Sequence, residues 1–251
     1  MSGHSHWATI RRKKGAADAK RGQVFTRLAR EIVLAAREGG GDPGSNVRLA
    51  LAIERARAQN MPKDNIERAI KRGTGDSKDG NTLEELYYEG YAPHGVALMI
   101  EVITDNRNRS VSEIRHQLSR AGGSMAAAGS VSWQFNRVAS FSFSMEGKDP
   151  DKIFELAVEA GADDVTFESD TAEIVGPVES FKSISLALAA GKVVPEEAGL
   201  RMVPTNEVDL PDDQILQVLK LVETLEEMDD VQNIFHNMRV PDSVWAQLEE
   251  A

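Results

Sequence analysis

The chain has 251 residues, 41% of them apolar, with nine prolines and no cysteine. That is enough for two or three domains with their own cores, and too apolar for a mostly disordered polymer. Without cysteine there are no disulfides, thiolate nucleophiles or Cys-ligated zinc or iron–sulfur sites, which suits a reducing compartment. The formal charge of −11 hides a split: residues 1–75 hold sixteen Lys/Arg against seven Asp/Glu, a head of +9, and residues 76–251 hold thirteen against thirty-three, a body of −20. Local field rather than net charge steers association, so a basic head on an acidic body is the pattern of a protein that offers one part to phosphates.

Residues 1–22 read as a flexible basic arm. Arg11, Arg12, Lys13, Lys14, Lys20 and Arg21 supply cations that can track a phosphate backbone, and His4, His6 and Trp7 add hydrogen-bonding and stacking groups. An acidic protein partner, or solubility alone, competes with this reading. The arm lacks the apolar core of a secretory signal and no later run approaches eighteen apolar residues, so a cytoplasmic protein with no membrane partner is expected.

Residues 23–75 read as a basic helical domain. Phe25, Leu28, Ile32 and Ala35 recur at helical spacing before the Gly39–Gly41 stop, Asn46 can cap a second helix, and Pro62 can open a third that carries Ile66 and Ile70. Such short amphipathic helices persist only by packing together. Arg27, Lys63, Arg68, Lys71 and Arg72 are candidate phosphate contacts. The bland alternative is a solvated surface with local pairs such as Arg27–Glu31 and Asp64–Arg68.

A Gly/Asp/Ser/Thr-rich linker over residues 73–81 leads into an alternation of strands and helices. Tyr87, Tyr88 and Tyr91 fall on a strand, the segment VALMIEVITD reads as a buried strand, and Ser110 with Glu113 reads as a capping box on the helix that follows. From Val138 the order βαββαβ appears nearly whole, and its outer pieces can be joined into a second such domain that the first interrupts. The expected fold is therefore multidomain α and α+β: a three-helix N-terminal domain, then two ferredoxin-like α/β domains, one inserted into the other. The expected limits are residues 82–136 plus 204–240 for the outer domain and 137–203 for the inserted one.

Within the outer domain, TDNRNR carries a second basic site. Asp105 and Asn106 can organise a turn that exposes Arg107 and Arg109, with Asn108 free to read polar edges or cap the helix. Guanidinium groups match phosphate oxygens and RNA bases; salt bridges to Asp105 or Glu101 are the competing use. Catalytic patterns are missing. The five histidines are dispersed, no HExxH, Walker A or strand-linked GxGxxG occurs, and the pairs Asp163–Asp164 and Asp229–Asp230 read as turns or caps. A non-enzyme without metal or cofactor is expected.

The blocks SGHSHWATIRRKKGAADAKRGQVFTRLAREI, REGGGDP, NMPKDNIERAIKRGTG, YEGYAPHG, TDNRNR and DDVQNIFHN resemble, in order and spacing, the bacterial YebC/PmpR family, whose eukaryotic relatives include the mitochondrial translational activator of cytochrome oxidase subunit one. The resemblance covers essentially the full chain. It implies a helical domain followed by two α/β domains, one inserted in the other, and a non-enzymatic role in gene expression: bacterial members are described as DNA-binding transcriptional regulators, others act in translation. It marks Gly3, His4, Ser5, Trp7, Lys13, Lys14, Asp18, Lys20, Arg21 and Gly22 as one patch and Asp105, Asn106, Arg107, Asn108 and Arg109 as a second. Met125, Ala126, Ala127 and Ala128 stand where many relatives carry a more polar or Gly/Pro-containing loop.

The expected function is a nucleic-acid-binding regulator of gene expression acting on DNA in transcription. The alternatives are a ribosome-associated factor that binds ribosomal RNA and relieves stalled peptide synthesis, and a scaffold that binds protein without nucleic acid. Expected partners are DNA or ribosomal RNA, with contacts to the ribosome or the transcription machinery.

Overall fold

The computed structural model describes residues 17–75, 83–168 and 170–250. Helix α1 spans Ala17–Gly39, α2 Val47–Ala58 and α3 Lys63–Gly73. The first helix begins six residues before the expected start at Gln23, because Ala17, Ala19, Lys20 and Arg21 are strong helix formers and Gly22 alone costs only about 1 kcal/mol. Asn46 caps α2 by accepting from the Leu49 amide at 3.1 Å, and its Nδ2 donates to the Ala35 and Gly40 carbonyls at 2.7 and 2.8 Å. One buried side chain thus ends α1 and starts α2. Gly73 closes α3 against α1, where a Cβ would lie 2.4 Å from the Val33 carbonyl oxygen. Ile32, Leu49, Ala52 and Ala56 are fully buried at the centre of this head, and burying side chains of the size of Ile and Leu contributes roughly 1.5–3 kcal/mol each.

Beyond the head, β1 (Glu84–Tyr91) pairs antiparallel with β2 (Ala97–Thr104), which leads into α4 (Arg107–Arg120) and the short β3 (Ser124–Met125). The chain then leaves through β4 (Phe135–Ser144), α5 (Pro150–Glu159), β5 (Asp164–Glu168), β6 (Thr171–Gly176), α6 (Phe181–Ala190) and β7 (Glu197–Pro204). It returns with α7 (Asp212–Glu226), β8 (Val231–His236) and α8 (Asp242–Glu250).

The chain divides into two compact units: residues 1–134 with 204–251, and residues 135–203. In the second unit the sheet order β5-β6-β4-β7 is that of a ferredoxin-like βαββαβ fold. Its core holds Phe141, Phe143, Ile174, Ile184 and Leu188, and Phe141 stacks on Phe181 with ring centroids 5.0 Å apart.

In the first unit the order is β3-β1-β2-β8. That is the same spatial arrangement by a different route: β1, which precedes the others in the chain, occupies the place a ferredoxin-like fold gives its third strand. All eight β2 residues are buried. Leu98, Ile100 and Val102 face Ile114 and Leu118 of α4 and Ile215, Val218 and Val222 of α7, while Ile103 joins Leu83 and the helical head on the opposite face. Cover on both faces explains why this strand is a nearly continuous apolar run.

The expected Ser110 capping box is corrected. Asn106, in extended conformation, caps α4 by accepting from the Arg109 amide at 3.1 Å, one turn earlier, and Ser110 is fully buried.

Candidate nucleic-acid interface

The head's arginines divide into two groups by what they touch. Arg27 donates to the Glu226 carbonyl at 3.3 Å and to that of Gln232, and Gln23 donates to the Glu227 carbonyl at 3.2 Å. These side chains sit at the C-terminal end of α7, where unpaired carbonyls and the helix dipole favour a cation. Arg30 reaches the Asp229 carbonyl and, at 2.7 Å, the Asp230 carboxylate. Arg37 donates to the Leu83 carbonyl at 2.6 Å. Arg48 joins Glu38 and Glu85 at 2.5 and 3.0 Å, and Arg55 pairs with Glu31 at 2.7 Å. The helical pair expected between Arg27 and Glu31 is therefore replaced by longer-range partners, because burial of this face against the sheet presents backbone oxygens that need donors.

The second group faces solvent. Arg57, Lys63, Arg68 and Lys71 are exposed; Lys63 lies 3.5 Å from Glu67, and the other three form no ion pair among the described residues. Of the residues singled out from sequence, Arg27 is turned inward, Arg72 is half-buried with its Nε out of contact with solvent, and Lys63, Arg68 and Lys71 remain outward. Arg57 joins them and had no motif to single it out. His4, His6, Trp7, Arg11, Arg12, Lys13 and Lys14 lie outside the described residues, as do the side chains of Lys20 and Arg21.

The TDNRNR turn is organised by a residue at the far end of the chain. Asp230, 3% exposed, accepts from the Ser110 hydroxyl at 2.6 Å, the Thr104 hydroxyl at 3.0 Å and Arg109 Nη2 at 2.8 and 3.0 Å, beside its pair with Arg30. Burial opposes its charge, but the bonds from Ser110 and Arg109 and the field of Arg30 outweigh that and hold its carboxyl below the ordinary carboxylate range. The reading of Asp229–Asp230 as a simple turn misses this role, since none of the four partners is near in sequence. Arg109 is raised chiefly by its bond to Asp230 and also contacts Asp105 at 3.1 Å. Arg107 pairs with Glu84, yet its side chain is 63% exposed and keeps an open edge. Asn108 is exposed.

Between head and sheet lies a buried carboxylate. Glu101 accepts from Asn233 at 2.6 Å and faces Glu85 and Glu31; burial, followed by those two carboxylates, pushes it up to about 7 against the pull of Asn233. A second buried carboxylate has the opposite fate. Glu89 accepts from the amides of Gly129, Val131 and Ser132 at 2.7, 2.6 and 3.1 Å. Burial opposes its charge, but these three donors hold it below the ordinary range. They fasten the loop that follows β3, in which Trp133 donates to the Ser130 carbonyl at 2.9 Å and stands 70% exposed.

Among the described residues no group of three or more His, Asp or Glu is placed to hold a metal ion, and no helix is long and apolar enough to cross a membrane.

A helical head, an outer α/β sheet and an α/β domain inserted in its sequence define the class. Residues 5–76 match the model of the TACO1/YebC N-terminal domain and residues 83–238 that of the TACO1/YebC second and third domain. The chain belongs to the TACO1/YebC family. It is 50% identical over 244 residues to a Borrelia turicatae protein named "Probable transcriptional regulatory protein", covering 97% of this chain and 100% of the relative. A Syntrophobacter fumaroxidans protein of the same name is 48% identical over 245 residues, covering 97% and 98%. The crystal structure of a conserved hypothetical protein from Aquifex aeolicus superposes with a TM-score of 0.80 at 40% identity, covering 89% of this chain and 92% of that one.

Proposed function

We propose that this protein is a nucleic-acid-binding regulator of gene expression that acts on DNA in transcription. The observation that carries the reading is the division of cations in the head. Arg27, Arg30, Arg37, Arg48 and Arg55 hold the head to its own sheet and helices, whereas Arg57, Arg68 and Lys71 are exposed and form no ion pair among the described residues. Exposed cations with no ion pair among the described residues, in a chain whose residues 1–22 carry six more, suit a polyanion. Phosphate contacts position a protein without reading sequence, so the head and arm would hold the duplex while the body, apart from α4, stays clear of it and meets other components. Arg107 and Asn108 offer a further contact at the start of α4; Arg109 and Asp230 set the shape of that turn. The names of the curated relatives agree with a regulatory role.

In-cell cross-linking read out on DNA and RNA from the same sample tests this. Discrete DNA sites retained at physiological salt are expected. Enrichment on 23S ribosomal RNA with no reproducible DNA site would overturn the transcriptional assignment. Saturable binding to an acidic protein that survives nuclease treatment, with no affinity for purified DNA or RNA, would overturn nucleic-acid binding altogether.

A further inference from the structure

Helix α4 is a basic island on the acidic body. Residues 107–120 carry Arg107, Arg109, Arg115 and Arg120 against one acid, Glu113, whereas the rest of residues 76–251 holds nine Lys/Arg against thirty-two Asp/Glu. Its inward side is taken by Ser110, Ile114 and Leu118, all fully buried. The outward side consists of two neighbouring stripes at spacings of four, three and four residues, all exposed. One stripe is Asn108, Ser112, Arg115 and Ser119. The other is Arg109, Glu113, His116 and Arg120.

The internal contacts end after the first turn. Arg107 is paired with Glu84, and Arg109 with Asp230 and Asp105. Arg115 and Arg120, one and two turns or more further on, form no ion pair among the described residues, and Ser112, Ser119 and His116 make no side-chain hydrogen bond there.

Resting on the nucleic-acid reading above, we infer that the outward face of α4 seats one sugar-phosphate strand, which lies along the Asn108–Ser112–Ser119 stripe with Arg115 and Arg120 reaching its phosphates. The chemistry is that of backbone contacts, in which arginine, serine and asparagine donors meet phosphate oxygens. The small side chains of Asn108, Ser112 and Ser119 leave shallow ground between the longer ones, so the strand can approach the helix while Arg115 on the same stripe and Arg120 on the neighbouring one meet its phosphates. From Asn108 to Arg120 the seat is roughly 18 Å long at 1.5 Å per residue, enough for several phosphates. A lipid surface would require apolar groups on the same face, and none of these eight positions carries one. The net negative charge of the other residues in 76–251, nine Lys/Arg against thirty-two Asp/Glu, disfavours a polyanion elsewhere on them.

The test uses the full chain, a labelled DNA duplex and a labelled single-stranded RNA, with anisotropy followed across a salt series and circular dichroism confirming the fold. R115Q/R120Q should weaken binding at least tenfold at low salt and reduce the slope of log K against log salt by about 2 on duplex DNA, near 0.9 per phosphate lost. S112Q/S119Q keeps the charge and fills the shallow centre with a good helix former. It should weaken binding at least threefold with the slope unchanged. If both variants bind as the wild type does while R57Q/R68Q/K71Q loses affinity, the α4 seat is wrong and the functional reading stands. A wild-type chain that binds neither nucleic acid removes both. Poly-glutamate competing as well as DNA, with the same loss in R115Q/R120Q, would reassign the face to acidic protein.

Discussion

Arg30 of the helical head and Asp230 at the start of β8 lie 2.7 Å apart, and the same carboxylate accepts two hydrogen bonds from Arg109 at the start of α4. One buried side chain therefore joins the head, the sheet and the TDNRNR turn. Asp230→Ala would leave Arg30, Arg109, Ser110 and Thr104 without their shared acceptor. Removing one partner of a buried charge pair costs about 3–5 kcal/mol, so urea denaturation at neutral pH should show a loss of at least about 3 kcal/mol. A loss below 1 kcal/mol would show that the network holds nothing together.

The two groups of head arginines should separate by phenotype. Arg27→Ala removes a cation from the C-terminal end of α7 and should lower stability by about 1 kcal/mol, with affinity for polyanions nearly unchanged in the folded protein. R68A/K71A should do the reverse: stability within about 0.5 kcal/mol of wild type and a salt slope reduced by about 2 on duplex DNA. Equal effects of both variants on stability and binding would contradict the division.

Glu101 and His236 should give opposing pH dependences. Glu101 is pushed up to about 7 from 4.5, by burial and then by Glu85 and Glu31. The native state holds that proton more firmly, so the contribution is present below about pH 4.5 and lost as pH rises through 7. His236, fully buried, is lowered to about 4 from 6.5, chiefly by desolvation; its contribution is present above about 6.5 and lost as pH falls through 4. Between these limits the two slopes offset each other. E101Q keeps an acceptor for Asn233 and removes the carboxylate, so it should be more stable than wild type at pH 8 by on the order of 2 kcal/mol and should show the acid-side loss of His236 more steeply. A stability–pH curve unchanged by E101Q would place Glu101 in contact with water.

Glu89 should govern the loop after β3. In E89A the amides of Gly129, Val131 and Ser132 lose their acceptor, and a buried donor left unmatched costs about 1–3 kcal/mol. Hydrogen exchange at these three amides should accelerate at least tenfold while exchange in β2 stays slow. Unchanged protection would mean that other groups fix the loop.

What was legible in the sequence was local. Helical spacing around Ile32 and Ile66, the Asn46 cap, the buried run from Ala97 to Thr104 and the βαββαβ order of the inserted unit follow from neighbours within a few turns. The TDNRNR turn was legible as an exposed basic site, but its organiser was not, because Asp230 stands 121 residues from Arg109. Arg27 looked like a surface cation since its partners, the carbonyls at the end of α7, are about 200 residues away and backbone oxygens leave no sequence signal. Ser110 looked like a cap because a serine three residues before a glutamate matches the capping box; Asn106 reached the position first and left Ser110 to the core. The place of β1 between β3 and β2 depends on side-to-side pairing that hydropathy does not encode.

The cationic front of the chain is expected to meet polyanions. The salt dependence of binding to a DNA duplex, measured for the wild-type chain and for R11Q/R12Q/K13Q/K14Q, tests it most directly. Measurable binding at low salt is expected, with a slope that falls by about 3–4 in the variant. A wild-type chain that ignores DNA and ribosomal RNA alike in dilute buffer, or a variant that keeps the full slope, would contradict it.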